Sequence, residues 1–196
     1  MTRLAMILLA LAVPAAIADD KKPAPEPSAA QVVITAELAC LHCTFGEGDA
    51  CAVCLKVDDK TPVLLAGKSA KQFAEDRLSG KVVVIEGTLS LNKDRRLVLT
   101  SDQGRLVTDK DKEKVPAKGQ ARVVGIACCG RCDLAVCEEC TLAIKNAAQP
   151  IILDGQLAAQ HAEEGKEAKP VTAIGRLFLD KRGLVRLDAG KVEFKK

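Results

Sequence analysis

The sequence predicts a mainly-β protein: two tandem copies of one small OB-like β-barrel, each with a four-cysteine hairpin between its first and second strands. Three observations predict it. Residues 61–91 align without a gap on residues 149–179 at an offset of 88, and twelve of the 31 positions are identical, among them Pro62/Pro150, Gly67/Gly155, Gln72/Gln160 and Gly87/Gly175. Unrelated segments of average usage would share about two. Each copy reads as strand, strand, strand, helix, strand, strand, the element order of an OB barrel. Eight of the nine cysteines fall into four CxxC pairs, two pairs ahead of each aligned segment. Two copies are too few to stack as a solenoid.

The elements of the first copy follow in order. Residues 31–38 are rich in β-branched side chains and read as a strand. A Gly-containing loop, residues 44–50, separates the two CxxC pairs, and residues 54–58 begin a second strand. Residues 62–65 form a short third strand. Residues 68–78 are expected to be a helix burying Ala70, Phe73, Ala74 and Leu78 on one face at helical spacing. Residues 81–91 form a long fourth strand, with Val83, Ile85, Gly87, Leu89 and Leu91 alternating inward. A polar turn, residues 92–95, leads to a fifth strand burying Leu97 and Leu99.

The second copy repeats the series. Val123 and Val124 lie in its first strand, Leu142 and Ile144 in the second, and residues 151–153 form the third. Residues 156–164 form its helix, burying Leu157, Ala158 and Ala162. Val171, Ala173, Leu177 and Leu179 face inward on the fourth strand, Val185 and Leu187 on the fifth. Gly87 and Gly175 sit mid-strand in equivalent places, where a barrel wall bends and a side chain would crowd it.

The domain plan is then a signal peptide at residues 1–18, a Pro-rich linker at 19–30, a barrel at 31–107, a charged linker at 108–119 and a barrel at 120–196. Arg3, the apolar run from Leu4 to Val13, Pro14 and the small residues Ala16-Ile17-Ala18 carry the signal-peptide reading. That run is too short to span a bilayer, and no later run is longer, so no membrane span is expected after cleavage. The chain is expected to be exported, to a periplasm or the exterior. Removal of Arg3 leaves 28 basic and 26 acidic residues, well mixed. Four Phe are the only aromatic residues of the Phe, Tyr and Trp class. Surfaces that stack bases or sugars need flat rings, so a nucleic-acid partner is not expected. A protein partner on the barrel surface is compatible with the composition.

The chemistry lies in the cysteines. Cys40 and Cys43 are followed by Cys51 and Cys54; Cys129 and Cys132 are followed by Cys137 and Cys140. Four thiolates from two facing turns make a soft tetrahedral set suited to zinc or another soft metal. Two alternatives stay open: disulfides stapling the hairpin, which suit an exported chain, and thiol–disulfide exchange. Exchange is disfavoured because its attacking thiol usually sits at a helix N-terminus, whereas these pairs adjoin strands. Covalent haem needs CxxCH, and the residues after the four pairs are Thr44, Leu55, Asp133 and Thr141, so haem is excluded. Cys128, matching Ala39, reads as a small buried residue or an extra ligand. His161, where the first copy has Phe73, reads as a tolerated core position or an extra ligand reaching toward the hairpin. His42 reads as an exposed residue of the first CxxC turn.

Gly46-Glu47-Gly48 is no phosphate cradle, because no GK[ST] follows. Glu75 and Glu163 flank no nucleophile, and no Ser/His/Asp set is present, so no enzymatic activity is expected.

The series Cys40, Cys43 and Cys51, the strand at Leu64-Leu65, the helix around Phe73 and the mid-strand Gly87 resembles a family of small exported bacterial proteins of unknown function. These pair a signal peptide with a CxxC-x7-C cluster. The resemblance covers one copy at a time and implies no activity. It implies a helix histidine and a late-helix cysteine; here His161 stands in the second copy alone, and Cys54 and Cys140 would complete the sets locally. The resulting expectation is an exported, non-enzymatic protein with two four-cysteine metal sites in a structural or binding role. The rivals are a disulfide-stapled envelope interaction module and a thiol–disulfide redox protein.

Overall fold

The computed structural model describes residues 30–111, 113–146 and 148–195. The expected signal peptide, residues 1–18, and the tether up to residue 29 lie outside the described residues.

The first half runs β1 (Gln31–Cys40), α1 (Leu41–Phe45), β2 (Val53–Lys56), β3 (Pro62–Ala66), α2 (Lys68–Gln72), β4 (Val82–Leu91) and β5 (Leu97–Thr100). A short β6 (Gly104–Leu106), beyond the strands expected from the sequence, adds to the edge of β4. The second half runs β7 (Gln120–Cys129), β8 (Leu142–Lys145), β9 (Ile151–Asp154), α3 (Gln156–Gln160), β10 (Pro170–Leu179) and β11 (Val185–Phe194).

In the first half β1 pairs antiparallel with β2, β2 with β3, β5 with β4 and β4 with β1, while β3 and β5 run parallel. The five strands therefore close into a barrel of OB type. The second half closes the same way: β7–β8, β8–β9, the parallel pair β9–β11, then β11–β10 and β10–β7. Closure removes most of each wall's free edge, except along the N-terminal part of β1, which β2 does not reach.

Period-two alternation sets the cores. Val32, Ile34, Ala36 and Leu38 of β1 face inward at 2% exposure or less, as do Val83, Ile85, Leu89, Leu97 and Leu99 opposite them. Val171, Ala173, Leu177, Val185 and Leu187 do the same in the second barrel. Gly87 and Gly175 stand where expected: a Cβ would lie 2.2 Å from the Thr100 carbonyl oxygen and 2.0 Å from that of Asp188. The neighbouring strand crosses too closely for any side chain.

The barrels join through β1 and β7, which pair antiparallel from Gln31↔Val124 to Thr35↔Gln120. Val33 faces Arg122. These are the third residues of two ten-residue strands, so the pairing is two-fold symmetric. The buried side chains of both halves form one continuous cluster. Hydrogen bonds from Gly119 N to Thr35 O at 2.7 Å and from Asn146 Nδ2 to Leu89 O at 2.9 Å also cross the junction.

The helices are shorter than expected. α2 stops at Gln72, with Phe73 buried at its end, and the chain continues as turns. Ala74 is exposed, and Leu78, expected in the core, is 63% exposed. One turn of helix is enough to place Ala70 and Phe73 against the core. α3 likewise ends at Gln160; Ala158 is buried, but Leu157 and Ala162 only partly. A 3-10 turn, Glu164–Glu167, follows and seats Gly165 against the Cys128 carbonyl oxygen, which a Cβ would approach to 2.9 Å.

Candidate metal centres

β1 ends on Cys40, and the chain turns at once into α1, which carries Cys43. The Cys40 N–H donates to Thr44 Oγ1 at 3.3 Å, and Leu41 N–H to Ala52 O at 2.9 Å. Gly46 closes the turn in the left-handed region at φ 67°, its N–H donating to His42 O at 3.0 Å. The second half builds the same turn 89 positions later. Cys129 N–H donates to Asp133 Oδ2 at 2.7 Å, Gly130 N–H to Thr141 O at 2.8 Å and Ala135 N–H to Arg131 O at 3.1 Å, with Ala135 at φ 53°.

Each turn faces one further cysteine across the hairpin. The Sγ atoms of Cys40, Cys43 and Cys51 lie within 4.8 Å of one another, and so do those of Cys129, Cys132 and Cys140. Cys43 and Cys51 are 3.6 Å apart, Cys132 and Cys140 3.7 Å. Thiolates around one zinc at about 2.3 Å are separated by about 3.8 Å, whereas bonded sulfurs lie at about 2.05 Å. The spacing is that of ligands sharing an ion. Cys40 and Cys129 are fully buried; the other four are exposed.

The structure brings together three cysteines per site, not four. Cys54 belongs to β2, whose pleat sends its side chain to the other face. It lies opposite Ala39, fully buried, with Sγ 3.4 Å from the Ala39 carbonyl oxygen. Cys137 packs among Cys128, Leu134 and Val136, its Sγ 2.9 Å from where a Gly130 Cβ would be. Neither joins a cluster. Pairing the CxxC motifs in order matches Cys51 and Cys54 to Cys137 and Cys140. The constant offset of 89 from β1 to β8 instead matches Cys51 to Cys140, so both sites are C-x2-C-x7-C. That uniform offset is present in the sequence, but the tidiness of four CxxC pairs hides it.

Cys128 and His161 are not brought into the clusters as extra ligands. Cys128 is buried opposite Ala143, in the register position where Ala39 faces Cys54. At this paired position each barrel thus buries one thiol, contributed by opposite strands, and in the second barrel Cys137 packs beside it. His161 tilts against Phe194 with ring centres 5.5 Å apart, and its Nδ1 is 3.1 Å from Glu164 Oε1. His42 turns its Nδ1 to Gly48 O at 2.8 Å.

The electrostatics favour one thiolate per site. Burial alone would raise Cys40, but the Cys43 N–H, the thiols of Cys51 and Cys43 and the His42 N–H outweigh it and draw it down to about 7. Cys129 comes down to about 7 in the same way, against its burial, through the N–H groups of Cys132 and Arg131 and the thiols of Cys132 and Cys140. Hydrogen bonding to Cys51 and Cys40 raises Cys43 to about 11, and bonding to Cys129 and Cys140 raises Cys132 to about 11. In each cluster the buried cysteine is therefore the first to ionise, around neutral pH. Burial pushes Cys54 to about 12 and Cys128 to about 11, which leaves both protonated.

The chain matches no protein-family model and no curated protein. Two solved structures resemble it in fold. One is the wild-type single-stranded DNA binding protein from Thermus aquaticus, with 16% identity over 87% of this chain and 95% of that one, at a TM-score of 0.44. The other is a deletion mutant of that same protein, with 16% identity, 87% and 96% coverage and a TM-score of 0.45. One expectation is corrected beside them. Single-stranded DNA binding is named of those two proteins, and the scarcity of aromatic rings in this chain does not exclude a nucleic-acid partner. Composition alone is too narrow a ground, because backbone phosphates are held by charge without any ring. Among the described residues no helix is long and apolar enough to cross a membrane.

Proposed function

We infer that each barrel binds one soft metal ion, with zinc as the first choice, through Cys40, Cys43 and Cys51 in the first and Cys129, Cys132 and Cys140 in the second. The observation that carries this reading is the convergence of three sulfurs, at the spacing of ligands sharing an ion, at the same place in both barrels. Three thiolates on rigid turns suit a soft ion and do not suit hard cations such as calcium or magnesium. The signal-peptide reading of residues 1–18 supports an exported chain, and the C-x2-C-x7-C spacing of both halves is the one that carries the resemblance to small exported proteins.

The test is metal content against free thiols on the full chain purified without added reductant, and with air excluded, from the compartment it occupies. Two ions per chain are expected. Cys40→Ser and Cys129→Ser each remove one, whereas Cys54→Ser and Cys137→Ser remove none. A metal-free chain with Cys43 bonded to Cys51 and Cys132 to Cys140, read by mass spectrometry, would replace this reading with the disulfide-stapled one.

A further inference from the structure

We propose that the metal ions are exchangeable cargo, not structural staples, and that the fourth coordination position at each site is filled from outside the chain by the sulfur donor of an incoming thiol acceptor. This rests on the metal-binding reading above and adds what the sites do with the ion.

Three observations carry it. First, the ligand set is incomplete by construction. Among the described residues three cysteines converge per site, and no histidine, carboxylate or further cysteine adds a ligand atom to either group. Cys54 faces the other side of the strand, and Cys137 is packed with Cys128. Neither histidine places a ring nitrogen in a cluster: His42 Nδ1 meets the Gly48 carbonyl oxygen, and His161 lies against Phe194 and Glu164. Structural zinc sites close their shell with four protein ligands, whereas sites that work on a ligand keep one position open.

Second, the accessible ligands face outward. One sulfur anchors each cluster from inside the wall, at Cys40 or Cys129, and the two others are exposed. An acceptor can reach the ion from the exposed side without any part of the barrel opening.

Third, the fold does not hang on the sites. Each barrel is closed by backbone pairing around its full circumference, and one continuous aliphatic core runs through both. The clusters stand at the hairpin tips, beyond that core. Metal-dependent folds are those with too small a core to stand alone.

The transfer step is a ligand exchange without redox change. The acceptor's thiol gives up its proton as its sulfur bonds to the ion. One protein sulfur–metal bond, at an exposed cysteine, breaks, and that thiolate takes up a proton. Repetition moves the ion to the acceptor.

The experiment uses the full reduced chain loaded with two zinc ions, glutathione as the thiol probe and a chromogenic chelator in excess as reporter. The release rate is expected to rise in proportion to glutathione concentration, and the metal-free chain to keep its strand circular dichroism and unfold cooperatively. A release rate independent of both glutathione and a CxxC peptide, or a metal-free chain that is unfolded at rest, overturns the proposal while leaving metal binding intact. Failure to load zinc at all sinks the metal-binding reading, and this proposal with it. Substituting a CxxC peptide for glutathione identifies the acceptor class: acceleration by the peptide alone points to a protein acceptor, acceleration by both to small thiols as well.

Discussion

Within one CxxC pair of this protein, one cysteine is a ligand and the other a filler. Cys51 and Cys54 are three residues apart, yet the first converges on a cluster and the second is sealed in the outer pocket against Ala39. Replacing Cys54 by serine trades a well-buried thiol for a hydroxyl that must find a partner there, at a cost of about 1–3 kcal/mol; denaturant unfolding measures it, and the metal content should not change. Ala135 makes a separate case. It holds a left-handed conformation at φ 53° where the first barrel has Gly46. A side chain in that region costs about 1–2 kcal/mol, and glycine adds about 0.4–1 to the freedom of the unfolded chain. Ala135→Gly should therefore stabilise the protein slightly, seen as a higher urea midpoint.

The thiol clusters also impose a pH dependence on the metal-free, reduced chain. Cys40 and Cys129 fall from 9.0 when unfolded to about 7 when folded. A depressed acid contributes stability that is complete above the unfolded value and lost as pH falls through the folded one, so this part rises between pH 7 and 9. Cys43 and Cys132 go the other way, to about 11, and their contribution is lost as pH rises from 9 through 11. The urea midpoint of the metal-free chain is expected to peak near pH 9, and to lose that peak when Cys40 and Cys129 are both serine.

At the scale of elements, the short helices are plugs. α2 contributes one turn, and its end buries Phe73 at 4% exposure beneath the first barrel. Phe73→Ala should cost about 3–5 kcal/mol, as truncating a buried aromatic ring usually does. The second barrel has His161 in the matching place, partly exposed and leaning on Phe194, so His161→Ala should cost clearly less in the same measurement. The mid-strand glycines belong to this scale too. Gly87→Ala or Gly175→Ala drives a methyl into a backbone carbonyl that cannot swing aside, and either should destabilise by about 1–3 kcal/mol or more, as overpacking does.

At the scale of the molecule, the junction decides the behaviour. The N-terminal part of β1 is paired on both sides, with β4 and with β7. A fragment of the first barrel alone would expose that β1 edge. Because the β1–β7 pairing is two-fold symmetric about Val33 and Arg122, a second copy of β1 can take the place of β7 with Val33 facing Val33. Residues 30–107 expressed alone are expected to sediment as a dimer, and Val33→Pro, which removes a donor from the pairing, to return it to a monomer.

Much of this is legible in the sequence. The barrel order, the inward residues of the long strands and the role of Gly87 and Gly175 follow from alternation and from the repeat, because a closed wall reads as period two wherever one face is dry. The cysteine-rich hairpin tips are legible for the same reason: they punctuate the strands. What the sequence could not decide is which thiols meet. Cys54 and Cys137 stand in CxxC spacing, and only the pleat of β2 and the packing around Cys128 turn them away, since side-chain direction depends on where a strand begins and what it pairs with. The helix ends, the extra strand β6 and the junction through β1 and β7 were likewise decided by tertiary contact. Local preference sets which segments can be strand or helix; their lengths and partners depend on how much surface the rest of the fold leaves to be covered.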